Sequence, residues 1–316
     1  MDIENKKATR ESFGEELANL GDKNSNIVVL DADLSHATKT NIFADKFPKR
    51  FFNIGIAEQD MIGTAAGLST CGKIPYVSTF AVFAAGRAYD QIRNSICYPN
   101  LNVKICATHA GITVGEDGAT HQMVEDLSLM RTLPNMTVMC TSDDMQTRWA
   151  INEISKINGP VYLRLCRLAT GKIYNDNNFE IGKGVQIGDG TDATVIATGV
   201  TVEQALLAKE ELEKEGINIR IVDMHTIKPI DKELIVKCAK ETKKIITIED
   251  HSIIGGLGSA VSEVLTEEYP VKLVRMGIKD TFGKSGKAEE LMKYFKLTKD
   301  DIIDVVKNWH NTKNMV

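Results

Sequence analysis

The feature of this sequence that most constrains its fold is the regular alternation of short apolar segments with amphipathic ones. Apolar, strand-like segments at residues 26–30, 74–79 and 101–107 are separated by stretches in which apolar side chains recur at helical spacing. Because parallel strands need crossover connections, usually helices, this pattern is typical of parallel sheets buried between helices. We therefore predict an α/β protein with two doubly wound domains, each a mainly parallel sheet with helices on both faces.

The alternation is interrupted once, where Asn, Asp and Gly accumulate in GKIYNDNNFEIGKGVQIGDGTD. Such a composition is typical of a connection between domains. A chain of 316 residues is also long enough for two domains. We predict a first domain at residues 1–170, a linker at 171–192 and a second, smaller α/β domain at 193–316.

The overall composition argues against several classes of function. A formal net charge of -5 disfavours a nucleic-acid-binding or membrane-surface protein. No apolar run reaches the ~18 residues of a membrane-spanning helix, and the polar first residues resemble neither a signal nor a transit peptide. The six cysteines are scattered without a CxxC pair, so we expect reduced thiols in a cytoplasmic protein and no metal site built from Cys and His.

One carboxylate stands out in the first half of the chain. Glu58 lies in the first turn of a predicted helix at 56–70 whose other side chains are mostly Ala, Ile, Gly and Leu. A helix-start acid commonly satisfies free N–H groups and the helix dipole, and that explanation stays open. Phe80 and Phe83 follow the next predicted strand, and aromatic side chains at this spacing belong to a core as readily as to a binding site.

A second group of candidates lies in the loop 108–122, THAGITVGEDGATHQ. This loop contains two histidines, two acids and three glycines. Glycines allow unusual backbone conformations, while imidazoles and carboxylates supply acid–base groups and hydroxyl ligands. The loop follows a predicted strand, and open α/β sheets bind ligands at the carboxyl ends of their strands. We therefore predict a functional site here.

These segments carry a family resemblance. The strings IAEQDMIGTAAGLSTCGKIPYVSTF, THAGITVGEDGATHQ and PVYLRLCR resemble the pyrimidine-binding domain of transketolase, and the residues after the linker resemble the transketolase C-terminal domain. The resemblance covers essentially the whole chain. An intact transketolase begins with a further, diphosphate-binding domain, so the resemblance implies the C-terminal subunit of a split transketolase.

The resemblance implies roles around the cofactor thiamine diphosphate. The residue matching Glu58 bonds to the aminopyrimidine ring and thereby activates the cofactor. Phe80 and Phe83 match residues that pack on that ring, and Asp33 matches an acid near the thiazolium. Gly86 stands where the family often has a tyrosine, which leaves one wall of the cofactor cavity undefined.

The resemblance also implies a substrate channel. His109 and His121 match histidines that orient hydroxyls and move protons, and Asp117 matches the acid that recognises a substrate hydroxyl. Arg10 and Arg167 match the pair that holds the substrate phosphate, a suitable use of a rigid guanidinium. Surface ion pairing is the alternative role for both arginines, and no role is assigned to the neighbouring Arg164.

Two glycine-rich motifs resemble known ligand-binding motifs but lack other features that those motifs require. Gly188-Asp-Gly190 with Asn218 has the spacing of the family's diphosphate and Mg²⁺ motif, but a strand rather than a helix follows it, so we predict a hairpin-type connection. The resemblance therefore implies that the partner subunit holds the diphosphate and Mg²⁺. Gly255-Gly-Leu-Gly258 lacks the remaining features of a dinucleotide site, and we predict a tight strand-to-helix turn.

The expected function is thiamine-dependent transfer of a two-carbon ketol unit from a ketose (phosphate) donor to an aldose (phosphate) acceptor. The expected assembly is an α2β2 heterotetramer in which a homodimer of this chain meets two N-terminal transketolase subunits. The alternatives are a 2-oxo-acid dehydrogenase E1 beta-type subunit, a deoxyxylulose-phosphate synthase relative and a non-catalytic scaffold subunit. The two histidines of the loop and Arg10 favour transketolase, and the presence of Glu58 disfavours a scaffold. The sugar stays open between the pentose-phosphate route and a specialised pathway.

Overall fold

Two mainly parallel β-sheets organise the molecule in the computed structural model, which describes residues 2–311. The larger sheet has seven strands, and its neighbouring strands are parallel except for one edge pair. In spatial order these strands are β12 (Thr226–Lys228), β6 (Thr137–Cys140), β7 (Val161–Arg164), β5 (Lys104–Ala107), β4 (Ile74–Ser78), β2 (Ile27–Asp31) and β3 (Phe51–Asn53).

The second sheet has five strands, with one antiparallel strand at its edge. In spatial order they are β14 (Leu273–Ile278), β13 (Ile245–Ser252), β10 (Ala193–Ala197), β11 (Ile219–Asp223) and β9 (Val185–Ile187). A separate antiparallel pair joins β1 (Asp2–Ala8) to β8 (Ala169–Lys172). The predicted α/β class with two mainly parallel sheets is confirmed.

Helices cover these sheets in the order that the alternation predicts. Those before the linker segment are α1 (Thr9–Lys23), α2 (Ser35–Thr38), α3 (Asn41–Lys46), α4 (Glu58–Thr70), α5 (Tyr89–Gln91), α6 (Asp126–Thr132) and α7 (Asp144–Ile154). Those after it are α8 (Thr201–Lys214), α9 (Lys232–Thr242), α10 (Leu257–Glu268), α11 (Ala288–Tyr294) and α12 (Lys299–Asn311). Within residues 2–311, no helix is both long enough and apolar enough to cross a membrane.

Both faces of the larger sheet are buried, which accounts for its continuously apolar strands. Alternate residues of a strand point to opposite faces. On one face, Val28 and Leu30 of β2 belong to the apolar cluster that includes Met61 of α4. On the other face, Val29 belongs to the cluster that includes Phe13 of α1.

One of the hydrophobic clusters spans both sheets. The cluster around α4 continues into the second sheet through Ile196 and Val222 and reaches Val261 of α10. Strand β12 follows β11 in sequence but pairs with β6 of the larger sheet, with Thr226 opposite Met139. A segment beyond the predicted linker thus completes the first sheet, so the two halves of the chain are interlocked.

The predicted hairpin at Gly188–Gly190 is wrong. Strands β9 and β10 lie on opposite sides of β11 rather than beside each other. Their connection therefore crosses the end of β11, and a Cβ on Gly190 would lie 2.3 Å from the carbonyl carbon of Ile219. A short turn between two strands indicates a hairpin locally, but here the long-range pairing with β11 decides the topology.

The helical stretch between β4 and β5 is not a continuous α-helix. Two π-helical segments, Val82–Arg87 and Ile92–Cys97, flank the short helix α5. Helical spacing of apolar residues predicts which residues face the core. It does not distinguish an α-helix, with backbone hydrogen bonds between residues four apart, from a π-helix, with bonds between residues five apart. Such π-helical turns occur frequently at functional sites.

Arg164, to which the sequence assigned no role, joins the two domains. Its side chain is 2% exposed, and its Nε donates to Asp126 Oδ2 at 2.8 Å. Its Nη2 donates to the backbone oxygen of Asp250 at 2.8 Å, and the Tyr162 hydroxyl donates to the same Asp126 oxygen at 2.8 Å. A charge buried this deeply depends on its partners.

We expect Arg164→Leu to lower the free energy of unfolding by about 3–5 kcal/mol, because it leaves the Asp126 carboxylate buried without its cation. Urea unfolding followed by circular dichroism measures the change. The double variant Arg164→Leu/Asp126→Leu should recover part of the loss, and Arg93→Leu, at an exposed arginine, serves as the control. An Arg164→Leu variant as stable as the wild type would contradict the structural role of Arg164.

Candidate functional site

Glu58 begins α4 and is almost fully buried, with 1% exposure. Both of its carboxylate oxygens accept hydrogen bonds from Arg87 Nη1, at 2.9 and 2.8 Å. The arginine side chain is 46% exposed, so the pair joins a buried carboxylate to the protein surface. Arg87 is not among the residues predicted from the sequence, where its only local signal is a single arginine within the small-residue string AAGRA.

Two phenylalanine rings and two imidazoles form a compact wall beside this ion pair. Phe80 and Phe83 lie nearly parallel, with ring centroids 5.9 Å apart. Phe80 also stacks on His109 at 3.9 Å, and His121 meets the Phe83 ring edge-on at 5.6 Å. Arg87 lies over Phe83, with its guanidinium carbon 4.4 Å from the ring centroid. The structure therefore brings together Glu58 and four of the other side chains predicted from the sequence.

Neither Gly86 nor the nearby Tyr89 supplies the wall that the sequence leaves undefined. Gly86 is exposed, and a Cβ placed on it would meet nothing within 4 Å among the described residues. The hydroxyl of Tyr89 bonds instead to Thr132 Oγ1 at 3.2 Å. In the described chain, Arg87 is the residue beside Phe83 at this position.

His109 is held as a neutral imidazole with a defined tautomer. Its Nε2 lies 3.1 Å from Arg10 Nη1, and its Nδ1 lies 2.9 Å from Thr108 Oγ1. Because a guanidinium only donates, Nε2 must accept, and Nδ1 then carries the proton and donates to the hydroxyl. Burial, followed by the charges of Arg10 and Arg167, lowers the pKa of His109 to about 3. Its positive φ of 55° is unusual for a residue with a side chain.

Arg10 and Arg167 form a cationic region at the mouth of the site. Arg10 lies in the first turn of α1, and its Nη1 donates to the backbone oxygen of Ala37 at 3.0 Å. Its buried Nε has no hydrogen-bond partner within residues 2–311. Arg167 Nη1 donates to the backbone oxygen of Val114 at 2.7 Å and lies 3.9 Å from Asp117 Oδ2. Both Arg167 and Asp117 are partly exposed, so they face solvent beside the histidines.

Asp33 lies on a neighbouring loop at the end of β2. It is exposed and has a positive φ of 64°, and its Oδ1 accepts from Asn53 Nδ2 at 3.2 Å. The buried carboxylate of Asp31 orders this loop by accepting from the backbone N–H of Leu34 at 2.6 Å and from Thr38 Oγ1 at 2.7 Å. The described contacts of the Asp33 side chain are to Asn53, outside the aromatic wall.

The second domain holds the histidine-bearing loop in place. Asp250, at the carboxyl end of β13, accepts from the backbone N–H of Ile112 at 2.9 Å and from Thr113 Oγ1 at 3.1 Å. A Cβ on Gly111 would lie 2.1 Å from Asp250 Oδ2, so glycine is required there. Asp250 is not among the residues predicted from the sequence, because it lies 138 positions from Ile112 in the loop it fixes.

Gln122 closes the other end of the loop. Its Nε2 donates to the backbone oxygens of Ile112 at 3.2 Å and Gly115 at 3.1 Å, and to that of Lys284 at 2.8 Å. A Cβ on Gly118 would lie 2.3 Å from Ser285 Oγ. The positions of Asp117 and His121 therefore depend on contacts with both domains.

The glycine-rich turn at 255–258 is occupied by a side chain of its own domain. It connects β13 to α10, which confirms the predicted strand-to-helix turn. The Glu249 carboxylate accepts from the backbone N–H groups of Leu257 at 2.7 Å and Gly258 at 2.8 Å, and burial raises the pKa of Glu249 to about 7. The N-terminus of α10 is thereby satisfied internally.

The arrangement suits recognition of a flat, nitrogen-containing ring. A buried carboxylate can accept an N–H hydrogen bond, and the adjacent phenylalanine face can stack on a flat group. The guanidinium of Arg87 already makes both contacts. Among residues 2–311, no group of three His, Cys, Asp or Glu side chains is placed to hold a metal ion.

Comparison with protein families gives two matches in sequence order. Residues 5–172 match the transketolase pyrimidine-binding domain, and residues 182–302 match the transketolase C-terminal domain. Together these models cover nearly the whole chain.

Individual relatives agree with these matches. A Methanocaldococcus jannaschii protein, provisionally named a transketolase C-terminal section, is 54% identical over 94% of this chain and 94% of its own length. A 6-deoxy-6-sulfo-D-fructose transketolase subunit of Clostridium sp. is 41% identical over 96% of this chain and 95% of its own length. A solved structure described as a split gene transketolase, inactive beta4 tetramer, superposes with a TM-score of 0.86 at 52% identity, covering 95% of this chain and 97% of that chain.

We expect the imidazole C–H resonances of His109 to show no titration between pH 5 and 8, because the pKa of about 3 keeps the ring neutral throughout this range. Proton NMR of the wild type, assigned with a His109→Gln variant, measures this. Arg10→Ala should raise the pKa of His109, since it removes one of the nearby positive charges. A His109 midpoint near the ordinary ~6.5 in the wild type would contradict the arrangement described.

Proposed function

Because the chain belongs to the transketolase family, with a pyrimidine-binding domain followed by the family's C-terminal domain, we propose that it is the cofactor-activating subunit of a two-chain transketolase. It would transfer a two-carbon ketol unit from a ketose phosphate donor to an aldose phosphate acceptor. Thiamine diphosphate is the cofactor of this family activity. When bound, it supplies the nucleophilic carbon that ketol transfer requires.

The observation that carries this proposal is the buried Glu58 carboxylate beside the Phe83 ring face. Glu58 is 1% exposed, and its partner Arg87 stacks on Phe83 at 4.4 Å, so the position already accommodates a flat N–H donor. We propose that Glu58 holds and polarises the aminopyrimidine, that Phe80 and Phe83 form its apolar wall, and that Asp33 lies near the thiazolium.

The substrate would lie between the histidines and the two arginines. We propose that His109, whose ring is neutral, orients substrate hydroxyls and transfers protons together with His121, and that Asp117 recognises a hydroxyl next to the reacting carbon. Arg10 and Arg167 would hold the substrate phosphate. The charges of both guanidiniums lower the pKa of His109, so both lie near the proposed position of the substrate. A guanidinium suits a phosphate because it is planar, permanently charged and rich in donors.

The proposed partner is a separate subunit that carries the diphosphate-binding domain and holds the diphosphate and Mg²⁺. Relatives that are covered almost completely by this chain are named as a section or a subunit of a transketolase, which supports a two-chain enzyme. Ile56, two residues before Glu58, is 75% exposed and would be covered in such a complex. We propose an α2β2 assembly with a pyrimidine-binding domain at residues 1–170 and a C-terminal domain at 193–316.

The test is to produce this chain together with its partner, add thiamine diphosphate and Mg²⁺, and assay a panel of ketose donors, aldehyde acceptors and 2-oxo acids. The panel should include sulfonated and phosphorylated ketoses, because one relative is named for a sulfofructose. Ketol transfer with any donor supports the proposal. Turnover of 2-oxo acids without ketol transfer would instead support a dehydrogenase-type subunit.

We expect Glu58→Ala to reduce ketol transfer by the reconstituted pair by about 10²–10⁴-fold, the usual contribution of a positioned acid–base group. Assembly should persist, as measured by gel filtration. Asp60→Ala, in the same helical turn but exposed, is the matched control and should retain wild-type turnover. Normal turnover by Glu58→Ala would refute the proposed role.

We expect Arg167→Ala to raise KM for phosphorylated substrates by about 10–100-fold, which corresponds to one lost charge-assisted contact of ~1.5–3 kcal/mol. The kcat should change much less, and KM for unphosphorylated substrates should stay near the wild-type value. Steady-state kinetics with matched phosphorylated and unphosphorylated acceptors measure the difference. An equal loss with both acceptors would count against a phosphate contact.

A further inference from the structure

Arg87 forms both of the contacts that a flat nitrogen ring would need at this site. Its Nη1 donates to the two oxygens of Glu58 at 2.9 and 2.8 Å, and its guanidinium lies over the Phe83 ring at 4.4 Å. Resting on the function proposed above, we propose that Arg87 competes with the aminopyrimidine of thiamine diphosphate for Glu58 and Phe83. Cofactor binding then displaces the Arg87 side chain.

The competition follows from the limited room at one carboxylate and one ring face. Glu58 is 1% exposed, and both of its oxygens already accept from the same nitrogen. A second flat donor cannot use the same oxygens and the same side of the Phe83 ring while the guanidinium remains there. In the free chain, Arg87 supplies the partner that a buried carboxylate requires, because burying an unpaired charge is costly.

The two partners differ in their freedom to move. Glu58 begins α4 and is enclosed by protein, whereas the Arg87 side chain is 46% exposed. A half-exposed guanidinium needs little movement to return to water, and the incoming N–H donor then replaces it as the partner of the buried carboxylate. The displaced group is therefore Arg87 rather than Glu58.

The surroundings of Arg87 leave space for this movement while fixing its backbone. A Cβ on the preceding Gly86 would meet nothing within 4 Å, so the neighbouring volume is open in the described chain. Gln59 Nε2 donates to the backbone oxygen of Arg87 at 3.2 Å, which ties this end of the π-helical segment to α4. The side chain can swing outward without disturbing the elements that carry Glu58 and Phe83.

The test measures the Kd of thiamine diphosphate by calorimetry with Mg²⁺ present, using the reconstituted two-chain complex. Arg87→Gln removes the competing charge and the planar cation, and it should lower Kd by about tenfold, as expected when nine of ten wild-type molecules have the site occupied by Arg87. Arg87→Lys retains a charge but not the flat guanidinium, so its Kd should fall between those of Arg87→Gln and the wild type.

Arg93→Gln is the matched control, because it removes an exposed arginine of the next π-helical segment that bonds to Asn94 rather than to Glu58. Its Kd should equal that of the wild type. An Arg87→Gln complex that assembles but binds the cofactor equally or more weakly would overturn the proposal. Absence of cofactor binding by the assembled wild type would instead refute the proposed function, so the two failures are distinguishable.

Discussion

The buried charges between the two sheets are the interaction on which the rest of the structure depends. Arg164 bonds to Asp126 of the first domain and to the backbone of Asp250 in the second, and the Asp250 side chain fixes the loop at Ile112 and Thr113. Charges removed from water are stable only when their partners are in place. The network therefore sets the position of one domain against the other, and with it the position of the loop that carries the site.

This dependence explains why a domain without a predicted site residue matters for the site. The residues proposed to bind cofactor and substrate lie before the linker, but the clamps on their loop come largely from beyond it. Asp250, the backbone of Lys284 and Ser285 each contact that loop. Strand β12 and the shared apolar cluster make the two halves one mechanical unit. The C-terminal domain thus affects the site by fixing the position of the loop 108–122.

The candidate site lies where buried side chains meet the surface of the molecule. Glu58 and the Phe80–Phe83 wall are buried or half-buried, whereas Arg87, Asp117 and Arg167 reach solvent. A surface of this kind agrees with the proposal that a separate subunit covers the site. The ion pair with Arg87 satisfies the Glu58 carboxylate in the free chain. On the proposed competition, Arg87 therefore leaves Glu58 when the cofactor binds.

The sequence by itself determined the fold class and the alternation of strands with helices, and its resemblance to a known family is what assigned Glu58, Phe80, His109 and His121 to one site. The fold class follows from a local pattern, the alternation of apolar segments, and the site at the loop 108–122 follows from polar residues placed after a parallel strand. The grouping of Glu58 and Phe80 with that loop follows from the resemblance. Only the tertiary structure revealed Arg87 as the partner of Glu58, Asp250 as the clamp of the loop and the true course of the β9–β10 connection. Each of these depends on contacts between residues far apart in sequence. Such contacts produce no periodic pattern in the sequence, because the packing of the sheets decides which distant residues meet.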